Sequence, residues 1–324
     1  MRAWPSTCLK RLGYFHWALA GTLCLLVQSC GTGIEVTDHV TDKDVQRVLD
    51  KEFGNVPDVT RVAYRDSFPA WKPGKRFWVA DHRVTQMLAE TFGYDKDTLR
   101  LTGHTLIYNS WWKSGIVTDE DYRQLYIIFT DEETGMRLDY RFGRARDAYR
   151  AGFTLPMLID LDMVDHVSRQ LVGKELYIRT PIWYDRQTEQ MKDGRHYIKV
   201  HIDSVLPGNA VLPLRVLFTT VDTREKAMVW MADNPSTMQG RSFDAMFVSS
   251  DPHLAYPAIT DTNWELITRS QVAEGMTKEE CRLALGSPKS ISENPDQSGM
   301  REYWYYDGGS YLFFVDGLLR QFRK

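Results

Sequence analysis

Cysteine is scarce: the 324-residue chain has four, Cys8, Cys24, Cys30 and Cys281. So few, two of them within the first 24 residues, argue against a disulfide-stapled scaffold. Excess positive charge is lacking as well. Forty Lys and Arg stand against 43 Asp and Glu, a net charge of −3, which argues against a nucleic-acid binder because a phosphate backbone calls for a basic face. The chain has no phosphate-cradling glycine loop, no dinucleotide fingerprint and no G-x-S-x-G elbow. No catalytic residue, metal ligand or cofactor is therefore expected, and the protein reads as a non-enzyme.

Two clusters that suggest chemistry at first sight have plainer readings. His196 and His201 flank a strand-like run, Tyr197-Ile198-Lys199-Val200, so their side chains should face opposite ways. Asp160, Asp162 and Asp165 lack the glycine and closing glutamate of a calcium loop. They read as a helix start, with Asp160 as the cap and the other two favouring the positive end of the dipole.

What is present begins at the N-terminus. Arg2, Lys10 and Arg11 precede an apolar run from Leu12 to Val27, which has the length of a signal peptide and not of a membrane span. Val27-Gln28-Ser29-Cys30 follows and resembles a bacterial lipobox, although Val27 and Gln28 depart from the preferred residues. The resemblance implies cleavage before Cys30 and acylation there, giving a strong attachment without a spanning helix. Cys281 is then left without a partner and reads as a small buried hydrophobe. Beyond a polar tether, Val45, Val48, Leu49 and Phe53 share one face of a short helix over residues 42–53, and Gly54 stops it.

From Lys75 the pattern changes to alternating apolar and aromatic residues, and it occurs twice. Gly74 to Val79 has a counterpart in Gly173 to Ile178, and Leu125 to Thr130 in Leu214 to Thr219. Met136 to Phe142 corresponds likewise to Ala227 to Met231. Each half ends in a helical pattern, Asp160 to Val172 and Thr262 to Val272. The expectation is two antiparallel β-rich modules, small barrels or curved sheets that hide their edges, each closed by a helix. Trp111 and Trp112, between Asn109 and Lys113, read as an exposed loop and are the candidate partner contact.

The C-terminal stretch is the most explicit. Thr277 and Glu280 form a capping box, Met276 and Cys281 occupy hydrophobic-staple positions, and Gly286 and Pro288 end the helix. Three strands follow, Arg301 to Tyr306, Ser310 to Val315 and Leu318 to Phe322, joined by Asp307-Gly308-Gly309 and Asp316-Gly317.

Ile267, Gly275-Met276-Thr277, Leu285-Gly286-Ser287-Pro288, Tyr303-Trp304-Tyr305, Leu312-Phe313-Phe314 and Asp316-Gly317-Leu318 resemble the SmpA/OmlA family, the BamE-like outer-membrane lipoproteins. The resemblance covers residues 262–324 only. It implies an α+β domain of two helices and three strands that docks onto other proteins.

The organisation expected is a signal peptide over 1–29, a lipid-attached tether and short helix over 30–54, β modules over 55–172 and 173–261, and a BamE-like domain over 262–324. The expected role is a lipid-anchored outer-membrane protein facing the periplasm, binding or scaffolding another envelope protein, with no nucleic-acid partner. Two alternatives stay open: an envelope carbohydrate-binding protein or hydrolase with its site in the β modules, and a structural spacer.

Overall fold

Strict alternation of apolar and polar residues builds the strands that organise this chain. The structure, a computed structural model, describes residues 67–90, 95, 98–115, 118–150, 153–233, 238–296 and 299–323. The signal, Cys30 and the helix expected over 42–53 lie outside the described residues. The fold is α+β, with antiparallel sheets, one of them curled into a half-barrel. Among the described residues no helix is long and apolar enough to cross a membrane.

The first sheet contains β1 (Arg76–Val79), β2 (Thr105–Lys113), β3 (Gln124–Asp131), β4 (Arg137–Arg144) and β5 (Leu158–Asp160), in the order β4-β3-β2-β1-β5. The second contains β6 (Glu175–Ile178), β7 (Ile182–Tyr184), β8 (Met191–Asp193), β9 (Ile198–Pro207), β10 (Leu214–Thr220), β11 (Lys226–Met231) and β12 (Phe247–Val248). Its order is β12-β6-β9-β10-β11-β7-β8. If the β7–β8 hairpin at the far edge is set aside, the two orders match strand for strand. In β3, Leu125, Ile127, Phe129 and Asp131 are buried; in β10, Leu214, Val216, Phe218 and Thr220 are. This is the period-2 signature of a sheet with one wet face.

The borders between hydrophobic cores fall inside strands. The first core runs from Phe68 to Leu158, the second takes residues from Ile159 to Phe247, and the third takes Tyr197, Val248 and the C-terminal residues. Neighbouring residues of a strand face opposite sides. β5 therefore sends Leu158 into one core and Ile159 into the next, and β12 does the same with Phe247 and Val248.

This alternation corrects one expectation. The helix α1 (Leu161–Leu171) does not close the first module. Its Val164, Val167 and Leu171 are buried with Val200 and Ile202 in the second core, because the chain has already crossed over at Ile159. Asp160 caps this helix as expected, accepting from the Asp162 N–H at 3.0 Å.

The third core packs α2 (Asp261–Thr268) and α3 (Lys278–Leu285) on a sheet of β13 (Ser290–Asp296), β14 (Gly299–Tyr305), β15 (Tyr311–Val315) and β16 (Leu318–Arg323). The strands run in sequence order, four and not the expected three. Thr277 caps α3, the capping box with Glu280 is complete, and Gly286 stands at φ 80° after the last turn. Asp316 and Gly317 both take positive φ, 52° and 80°, as a tight hairpin turn requires. The helix α2 stops at Thr268, short of the expected Val272, because Ser270 enters the left-handed region at φ 55°. Val272 is nonetheless buried in the same core. Trp304, Phe314, Cys281 and Ile267 are fully enclosed there, and each large apolar side chain so buried contributes about 1.5–3 kcal/mol.

Candidate functional site

Trp111 and Trp112 belong to strand β2 and not to a loop. The pairing of β2 with β3 skips at Asn109: Tyr108 lies opposite Phe129, Ser110 opposite Ile128 and Trp112 opposite Tyr126. This β-bulge re-aims the side chains that follow. The two tryptophans consequently part company. Trp111 turns to the rim of the first core, its ring centroid 5.8 Å from that of Phe68, with the Lys113 ammonium 5.8 Å from the Trp111 ring. Trp112 faces outward and stacks on Tyr126 at 4.3 Å with 7° between the planes. They are 36% and 42% exposed. Arg141 lies opposite Tyr126 on β4, so Trp112, Tyr126 and Arg141 form one row across three strands. Beside it, Arg146 donates to the Tyr122 hydroxyl at 2.7 Å and covers that ring at 4.4 Å.

The third sheet has a similar outward face. Its rows are Ser292, Tyr303, Phe313, Gln321 and Ser290, Tyr305, Tyr311, Arg323. Tyr303 stacks on Phe313 at 4.6 Å, and Tyr305 lies 6.4 Å from Tyr303 with planes 15° apart. The opposite face carries Trp304, Leu312 and Phe314 into the core. Period 2 on the strand gives Trp304 to the core and Tyr303 and Tyr305 to the surface.

Between β6, β9 and the helix α2 lies an open groove of about 340 Å³, lined by Tyr177, Lys199, Asp222, His253, Trp264 and Glu265 among others. Asp251, the cap of the short helix Pro252–Ala255, organises one wall. Its carboxylate accepts from the Tyr177 hydroxyl at 2.8 Å and lies 2.8 Å from His253 Nδ1. Burial pushes the Asp251 carboxyl up, but the His253 N–H and ring and the Tyr177 hydroxyl outweigh it and hold it below the usual range. Burial, then the Asp251 charge, push the Tyr177 phenol up to about 12. The His253 ring is 4.2 Å from that of Trp264. Two carboxylates of the groove are already engaged, Asp222 by Arg195 at 2.5 Å and Glu265 by Arg269 at 2.5 Å.

The other clusters are resolved by geometry. His196 is buried and its Nε2 is hydrogen-bonded to the Ile267 carbonyl, whereas His201 lies on the outer face beside Asp203 at 3.0 Å, so the two do not share a site. Asp160 and Asp162 each lie 2.8 Å from Lys75 Nζ, whose side chain is 3% exposed. They thus anchor a buried ammonium at the junction of the first sheet and α1, in addition to opening that helix. Cys281 is buried, and its thiol is pushed up to about 12, first by burial and then by Glu280. One group escaped sequence reading altogether: His104, Asp131 and Glu133 bring ligand atoms within 4.8 Å of one another. Twenty-seven residues separate His104 from Asp131, and only the pairing of β2 with β3 brings them together.

No family profile, curated protein or solved structure matches this chain.

Proposed function

We propose that this chain is a lipid-anchored protein of a Gram-negative cell envelope, attached through Cys30, facing the periplasm and acting as a non-enzymatic binding or scaffolding component for another envelope protein. Outer-membrane assembly or integrity is its setting, and the C-terminal domain is BamE-like. The observation that carries the reading is the pair of outward aromatic rows: Trp112 stacked on Tyr126 in the first sheet, and Tyr303, Phe313, Tyr305 and Tyr311 in the third. Aromatic side chains backed by packing and rimmed with arginine are the residue types that dominate binding energy at protein interfaces. Their cores do not need them outside, since Trp304, Leu312 and Phe314 already fill the inner face of the third sheet.

The fourth strand, β13, departs from the three-strand family pattern and adds a polar edge, Ser290–Asp296. It leaves the two-helix cover and the aromatic face intact. Affinity purification from envelope solubilised in mild detergent tests the reading. Recovery of the same partner by wild type, with loss on Trp112→Ala or Tyr305→Ala, is expected; recovery unchanged by both substitutions overturns it. Labelling with a clickable fatty acid tests the anchor, and label persisting in Cys30→Ala overturns that part.

A second reading, carbohydrate binding, is favoured by the groove, in which the Trp264 and Tyr177 rings stand among polar groups. Titration with cell-wall oligosaccharides tests it, and binding lost in Tyr177→Ala, at a half-buried position of the groove, supports it over the first.

A further inference from the structure

The turns that join β3 to β4 and β10 to β11 are one turn built twice. Phe129-Thr130-Asp131-Glu132-Glu133-Thr134-Gly135 aligns without a gap on Phe218-Thr219-Thr220-Val221-Asp222-Thr223-Arg224. Asp131 N–H donates to the Met136 carbonyl at 2.8 Å, and Thr220 N–H to that of Glu225 at 2.9 Å. Gly135 and Arg224 both take positive φ, 71° and 58°.

The copies differ in charge. In the second, Thr220 Oγ1 meets Thr223 Oγ1 at 2.8 Å, and Arg195 neutralises Asp222 at 2.5 Å. In the first, Asp131 replaces that threonine and accepts from Thr134 Oγ1 at 2.5 Å. His104 stands just before β2 at the register position that Ile198 holds in the second copy, and Arg195 lies three residues earlier than that. The second copy's turn folds with a threonine at its base, so the carboxylate of Asp131, whose side chain is 1% exposed, is particular to the first copy.

We infer that His104 Nδ1, Asp131 and Glu133 form a three-ligand site for a first-row divalent cation of the zinc class. His104 Nδ1 lies 3.0 and 3.1 Å from the two Asp131 oxygens and 3.5 Å from Glu133 Oε2. Ligand bonds of about 2.0–2.1 Å in tetrahedral array separate ligand atoms by about 3.3 Å, within that spread. Both carboxylates are oriented by other groups, Asp131 by Thr134 and Glu133 by the Thr105 N–H at 3.0 Å, as outer partners orient ligands in metal sites. Two carboxylates facing one point offer a dication the charge balance that such sites use. The imidazole nitrogen selects against calcium and magnesium, which favour oxygen. Glu133 and His104 are 43% and 26% exposed, so the remaining coordination position opens to water. The ion ties the start of β2 to the β3–β4 turn.

The test is calorimetric titration of zinc into the full chain, held in mild detergent and stripped with a chelator. Wild type should take up one zinc per chain saturably, and its melting temperature should rise with zinc. Glu133→Gln, at an exposed position, should bind at least about tenfold more weakly. The double variant His104→Ile with Asp131→Thr, which puts the second copy's residues at both register positions, should fold and lose the site. No saturable zinc uptake by wild type, binding unchanged in Glu133→Gln, or equal affinity for calcium would each overturn the proposal.

Discussion

Replacing Glu280 by alanine should loosen the C-terminal core more than its place on a short helix suggests. Its carboxylate accepts from the Thr277 N–H at 2.7 Å, the Thr277 hydroxyl at 2.9 Å and Asn263 Nδ2 at 2.6 Å. It closes the α3 cap and ties that helix to α2. Glu280 is buried, so truncation leaves donors without partners in a place water reaches poorly. A hydrogen bond to a charged group contributes about 1.5–3 kcal/mol net, and a lost cap hydroxyl costs about 1 kcal/mol. Glu280→Ala should therefore cost about 2–3 kcal/mol, and Thr277→Val, which orphans the Glu280 N–H held at 3.2 Å, about 1 kcal/mol. Because the two residues share their bonds, the double variant should cost less than the sum of the singles. Urea unfolding, followed by amide exchange within α2, α3 and β14 to isolate this core from the other two, reads the three values. A cost for Glu280→Ala of less than about 0.5 kcal/mol, or full additivity, would refute the reasoning.

Two further outcomes follow from packing. Gly194→Ala places a methyl 2.1 Å from the ring of Trp183, a residue wholly enclosed in the second core. It should lower stability by about 1–3 kcal/mol or more, measured by denaturant melts, and a neutral effect would contradict the packing described. Cys281 should resist thiol reagents at pH 8 in the folded chain and react once urea exposes it, since burial raises its thiol to about 12; rapid labelling located at Cys281 by peptide mapping of the native chain would contradict that.

How much of this the sequence discloses depends on whether the signal is local. The helix α3 is legible because both of its ends are written in residues: a capping box at Thr277 and Glu280 and a stop at Gly286. The strands β1, β3, β6 and β10 are legible because they are covered on one side only and so alternate cleanly. β13 is not, because Ser290–Asp296 is polar and borders the sheet. Trp111 and Trp112 read as loop because the bulge at Asn109 breaks the period between Tyr108 and Ser110. The partition of α1 between cores is invisible for a different reason. A helix pattern shows which face is buried and not which sheet it meets, and that is decided by a crossover one residue wide at Leu158 and Ile159. The ligand group at His104, Asp131 and Glu133 depends on strand register, which no spacing along the chain reports.

The most direct measurement of the central claim places a photo-crosslinking amino acid at position 112 or 305 of the anchored chain in living cells, with position 191 as control. Met191 is 68% exposed and lies on β8 at the edge of the second sheet, whereas the aromatic rows belong to the first and third. The account predicts that 112 or 305 captures a defined envelope protein that 191 does not. Folded, lipid-labelled chain that captures nothing at either position, or the same species at all three, would contradict it.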